Sequence, residues 1–196
     1  MTTEHIHNLF HESIAVKMQA GEILAPAIVE AGEKLVGCLL NDGKILVCGN
    51  GPSAGLAQIF TNNLTYHFER ERPSLPAITL ANDIISVTAA AGDSSFNDIF
   101  AREIRSIGQS NDVLVIICCS GKSSNILQAV QAAHEREIHI IALTGSKESN
   151  ISSLLDVNDR ELCAVTNVRA RVHELHLLIL FCLCDLIEEK LFGPIE

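Results

Sequence analysis

The chain has 196 residues, 47% of them hydrophobic, and a formal net charge of −10. That is enough apolar material for the core of one domain. The acidic balance, with no lysine or arginine cluster, argues against a nucleic-acid surface because phosphates would be repelled. The apolar runs fall well short of the ~20 residues a membrane span needs. The opening MTTEHIHNLFHES lacks the basic start and apolar core of a signal peptide. Seven cysteines, mostly inside apolar runs, predict buried reduced thiols and a cytoplasmic protein. Neither Cys118-Cys119 nor Cys182-Leu183-Cys184 has zinc-finger spacing.

In chain order, apolar residues at three-to-four spacing predict helices over His5–Gln19 and Ile23–Leu40, ended by Asn41-Asp42-Gly43. Strands are expected at Lys44–Cys48, Ala77–Leu80, Asp112–Cys118, His139–Thr144 and Leu162–Val165. Helices are expected at Ser53–Leu64, Phe96–Ile107, Asn125–Glu135 and Arg169–Leu191, with a short piece near Glu148–Leu155. Strand-helix alternation implies a parallel sheet covered on both faces, with ligands beyond the carboxyl ends of its strands. No linker or repeat divides the chain, so residues 1–196 read as one domain, with residues 1–40 forming N-terminal helices on the core and on other subunits.

Three strand ends carry suitable chemistry. Gly49-Asn50-Gly51-Pro52-Ser53 follows the first strand, Ser120-Gly121-Lys122-Ser123-Ser124 the third, and Thr144-Gly145-Ser146 the fourth. Glycines let a ligand approach the backbone, and the helix that opens next offers unpaired N–H groups and a dipole that favours anions. The serines fit a phosphate ester; they also fit ordinary helix caps.

The blocks CGNGPSAGLAQ, ERPSLPAITL, DVLVIICCSGKSSNILQAVQAA, IIALTG and RARVHELHLLILFCLCDLIE resemble, in order and over nearly the whole chain, the sugar isomerase (SIS) domain of the phosphoheptose isomerase group. The resemblance implies an αβα three-layer sandwich with a five-stranded parallel sheet, a homotetramer, and sugar-phosphate sites between subunits. It assigns Asn50, Gly51, Ser53, Asp93, Ser120, Ser123 and Ser124 to sugar-phosphate binding. Active members bind zinc through a histidine and a glutamate on the helix after the GNG turn and a glutamine and a histidine on the late helix. Here those positions hold Ile59, Asn63, His173 and His176, so only His176 matches. Asn63 stands where the family has its base and cannot do that work. His173 and His176 could hold a metal or could be polar groups of an interface helix. No cofactor is expected unless the chain is an isomerase, in which case it is zinc.

The C-terminal CLCDLIEEKLFGP is similar to that of the DnaA initiator-associating branch of the group. That resemblance implies a non-catalytic tetrameric adaptor that binds the replication initiator DnaA through Leu191 and Phe192. The alternatives are a sedoheptulose 7-phosphate isomerase of heptose biosynthesis and a sugar-phosphate-sensing module. The loss of the glutamate at Asn63 selects the adaptor as the leading expectation.

Overall fold

The computed structural model describes residues 2–93, 96–145 and 149–194. Five strands form one parallel sheet among them: β1 (Ile45–Gly49), β2 (Ala77–Thr79), β3 (Val113–Cys118), β4 (His139–Thr144) and β5 (Arg160–Cys163), in the order β2-β1-β3-β4-β5. All four pairings are parallel, as in Ile45 opposite Val113 and Val113 opposite His139. The helices are α1 (Thr3–Leu40), α2 (Pro52–Thr65), α3 (Ile84–Asp93), α4 (Ile99–Ile107), α5 (Ser124–Glu135) and α6 (Arg169–Phe192).

Side chains alternate across a strand, and the core divides accordingly. Ile45, Val47, Val113, Val115, Ile117, Ile141 and Leu143 pack on one face with α1, α2 and α6. Leu46, Cys48, Leu114, Ile116, Ile140 and Ala142 pack on the other with Phe100 and Ile104 of α4 and Ile126 and Val130 of α5. Strands buried on both faces explain the unbroken apolar runs. The result is the expected three-layer sandwich. All seven cysteines are free, and no described helix is long and apolar enough to cross a membrane.

Several boundaries differ from the sequence reading. The two N-terminal helices are one, 38 residues long, running through Gly21 and Pro26. Each residue disfavours a helix interior; packing of Ala20, Leu24, Ala31 and Leu35 holds the helix continuous. Helix α3 was not expected. Its signal is Asp83, whose carboxylate accepts from the backbone N–H of Ile85 (3.1 Å) and Ser86 (3.0 Å), a side-chain cap on the first turn. Where a short helix near Glu148–Leu155 was expected, Glu148 lies outside the described residues and residues 150–154 form turns, with the N–H groups of Leu154 and Leu155 on the Ile151 carbonyl. Strand β5 starts two residues earlier than expected, because its register is set by pairing with β4 at Ile141–Arg160 and not by its own weak edge pattern.

A buried ion pair fastens the far end of α6. Glu188 accepts from Arg72 Nε (2.8 Å) and from the backbone N–H of Phe68 (3.1 Å) and Glu69 (3.3 Å). Arg72 also donates to the carbonyls of Leu64 (2.8 Å), Pro73 (3.0 Å) and Asn63 (2.6 Å). The irregular segment after α2 is thereby tied to α6.

Candidate functional site

Three turns meet beyond the carboxyl ends of β1, β3 and β4. They enclose, with the start of α6, an open cleft of about 380 Å³. Its first wall is Asn50 and Ser53 at the N-terminus of α2. The second is Cys118, Cys119, Ser120 and Ser123 before α5. The third is Gly145 after β4, and Asn167, Arg169, Val172 and His173 close the far side. Serines of two turns about seventy residues apart in sequence, Ser53 of the first and Ser120 and Ser123 of the second, thus line one space. Ser53 is buried, with its N–H on the Asn50 carbonyl at 3.1 Å. Asn50 and Asn125 exchange side-chain amide hydrogen bonds, at 2.8 and 2.9 Å, and lash the α2 turn to the α5 turn.

Two glycines set the depth of the cleft. A Cβ on Gly49 would lie 2.8 Å from the backbone of Ser53, and one on Gly145 would lie 2.3 Å from the Cys119 carbonyl oxygen. Any side chain there would push a wall away.

Not every expected residue lines this space. Gly51, with φ +56°, and Ser124, the exposed first residue of α5, lie beside the cleft but outside its lining. Lys122, within the second turn, is exposed, and Arg169 supplies the positive charge in the lining. The sequence reading missed Arg169, Asn167 and Asn125. A basic residue opening the final helix just after the fifth strand was the available signal. Asp93 closes α3, and its side chain lies outside the described residues, as does Ser146 of the third turn.

The two histidines occupy different depths of one helix face. His173 lines the cleft, and both its ring nitrogens sit 3.5 Å from Cys119 Sγ. His176 is wholly buried below it. Its Nε2 lies 3.1 Å from the Thr144 carbonyl, so Nε2 carries the proton and donates. Its Nδ1 has no partner among the described residues. Burial pushes the His176 pKa down to about 4, so the ring is neutral at physiological pH.

Ile59 and Asn63 stand ~9 and ~15 Å along the α2 axis from Ser53, at 1.5 Å per residue. They lie outside the cleft lining. Asn63 is half-buried and hydrogen-bonds the Cys184 thiol. The donor set therefore does not suit zinc at the family position. Of the four places only two, His173 and His176, offer an imidazole nitrogen, and His176 is buried with its Nε2 on the Thr144 carbonyl. Among the described residues the group with metal-ligand proximity is His134, Asp156 and Asp159, with ligand atoms within 4.8 Å. It lies away from this cleft. Its buried carboxylate, Asp159, is already held by the N–H groups of Ile140 (2.8 Å) and Asp156 (3.0 Å).

Leu191 and Phe192, at the end of α6, are half-buried. Leu191 packs on the core, and the guanidinium carbons of Arg70 and Arg72 lie 6.0 Å from the Phe192 ring centroid. Arg70 also donates to the carbonyls of Gly193 (2.6 Å) and Phe192 (3.1 Å).

Residues 9–145 match the SIS-domain family. The chain is 49% identical, over 95% of both lengths, to a phosphoheptose isomerase of Chromohalobacter salexigens. It is similar to the structure of a phosphoheptose isomerase from Francisella tularensis, with a TM-score of 0.93 and 43% identity over 97% of this chain and all of that one. A phosphoheptose isomerase structure from Neisseria gonorrhoeae gives a TM-score of 0.89 and 40% identity over 95% and 98% of the two chains. These findings overturn the expectation of a non-catalytic adaptor for DnaA. Relatives that match over 95% or more of their length are named as isomerases.

Proposed function

Since the chain belongs to the SIS-domain family and its relatives at 40–49% identity are phosphoheptose isomerases, we propose that it is a sugar-phosphate isomerase whose substrate is sedoheptulose 7-phosphate. The observation that carries the reading is the convergence of Ser53, Ser120, Ser123 and Arg169 on one cleft at the N-termini of α2 and α5. Unpaired N–H groups, hydroxyl donors and a guanidinium are what a phosphate dianion requires. A thiol, Cys119, and an imidazole, His173, stand in the same lining.

The same reading includes a homotetramer working in the cytoplasm, where its free thiols stay reduced. Support for assembly comes from α1, whose Ile6, Phe10, Ile14 and Met18 recur every four residues and are all exposed. An open apolar groove between α1 and α6, with Ala25, Ile28, Phe181 and Leu186 in its lining, adds to it.

Ile59 and Asn63 favour a second reading, a cleft that binds sugar phosphate without turning it over. One experiment separates the two: titration of sedoheptulose 7-phosphate by calorimetry alongside an NMR assay for the aldose product. The isomerase reading expects both binding and product, with Ser53→Ala and Arg169→Ala each weakening binding at least about tenfold. Binding without product supports the second reading. No binding refutes both.

A further inference from the structure

Resting on the isomerase reading, we propose that Cys119 and His173 are the acid and base of a metal-independent isomerisation. In this chain they replace the machinery lost at Ile59 and Asn63. Among the described lining residues, the imidazole and thiol groups are those of His173, Cys118 and Cys119. Cys118 Sγ is occupied, accepting from the Gly121 N–H at 3.2 Å. Cys119 and His173 remain, half-buried, 3.5 Å apart, and held from opposite sides. Cys119 follows the last residue of β3 and hydrogen-bonds to Ser53 at the phosphate-binding turn. His173 projects from the first turns of α6, near Arg169.

The environments push the two groups toward complementary states. Burial raises the Cys119 thiol pKa, against the Ser53 hydrogen bond and the Arg169 charge. Burial and Arg169 lower that of His173. At neutral pH the pair is a protonated thiol beside a neutral imidazole, an acid and a base in one cleft.

The chemistry balances on these two groups alone. The imidazole takes a proton from C1 of the ketose. The C1–H electron pair becomes the C1–C2 double bond, and the carbonyl oxygen at C2 takes the thiol proton, giving an enediol. The thiolate then removes the proton from the C1 hydroxyl, the C1 carbonyl forms, and C2 takes the proton held by the imidazolium. Ketose becomes aldose, and both side chains return to their starting states. No oxidant, metal or co-reactant enters.

The test uses the full chain treated with chelator, sedoheptulose 7-phosphate in D₂O, and proton NMR to follow both product and washout of the C1 proton. The expected result is turnover unchanged by the chelator. His173→Gln should lower kcat ~100-fold or more with KM nearly constant. Cys119→Ser should fall about tenfold, because a hydroxyl is a weaker acid. The kcat–pH profile should lose one limb in His173→Gln; the other groups near the pair are Arg169, Cys118 and His176. Melting curves establish that each variant is folded, and Cys119→Ala serves if the serine variant is not. Turnover abolished by chelator, or kcat preserved in His173→Gln, overturns the pair while leaving the isomerase reading intact. Absence of turnover and of C1 exchange in the unaltered chain refutes that reading and the pair together.

Discussion

Arg72→Ala should be among the most damaging single changes outside the cleft. The Arg72 side chain is 1% exposed and Glu188 2%. Four acceptors depend on the guanidinium: a Glu188 oxygen and the carbonyls of Leu64, Pro73 and Asn63. Truncation leaves the Glu188 carboxylate on the N–H groups of Phe68 and Glu69 alone, without a counter-charge. Breaking a buried pair from one side costs about 3–5 kcal/mol. The orphaned carbonyls each add up to ~1–3 kcal/mol where water does not reach them. Water entering the vacated volume offsets part of this, so the expected loss is about 4 kcal/mol. For a chain of this size, 1 kcal/mol moves Tm by ~2–4 °C, which places the variant roughly 8–16 °C below the parent. Urea unfolding at pH 7.5 gives the free energy, and calorimetry gives Tm. The double substitution Arg72→Met with Glu188→Met, which removes both charges at similar volume, should recover most of the loss. A loss below about 1 kcal/mol for Arg72→Ala, or a double variant no better than the single, would refute the assignment of the loss to an uncompensated buried charge.

Three further outcomes follow from the structure. The unfolded chain binds a proton at His176 near pH 6.5 that the native fold refuses until about pH 4, so stability should be level above 6.5 and fall as pH drops through that window by up to about 3 kcal/mol. The lowered His173 pKa acts in the same direction. Urea unfolding at pH 7.5 and 5 should therefore show a smaller pH-dependent loss in His176→Gln, and equal losses in both proteins would contradict this account. Gly145→Ala should force Cys119 and Val172 away from β4 and weaken sugar-phosphate binding at least about tenfold, read by calorimetry, because its Cβ would lie 2.3 and 2.9 Å from them. Phe10→Asp together with Ile14→Asp should shift the mass seen by light scattering from an oligomer to the single chain with little change in helix content; an unchanged mass would remove the α1 stripe from the interface.

The sequence alone determined the layer architecture and the end of the sheet that carries the site. ILVCG, VLVIIC and HIIALT are unbroken apolar runs because each strand is buried on both faces. A glycine or serine turn after such a strand can only lie at its carboxyl end. Local pattern therefore sufficed to put Ser53, Ser120 and Ser123 at that end of the sheet. It failed where a residue's role depends on a partner distant in the chain. Asn50 with Asn125, Cys119 with His173, and Arg72 with Glu188 are separated by 75, 54 and 116 residues. No periodicity links them. The spacing of His173 and His176 gave a shared helix face but not that one reaches the cleft while the other is sealed beneath it. Likewise the stretch around Gly21, between Gln19 and Ile23, read as a gap between two helices, and only burial of α1 against α6 and the sheet shows why the helix continues. Backbone preferences act over a few residues and are written in the local sequence; burial, charge pairing and proton affinity are set by what the folded chain brings alongside.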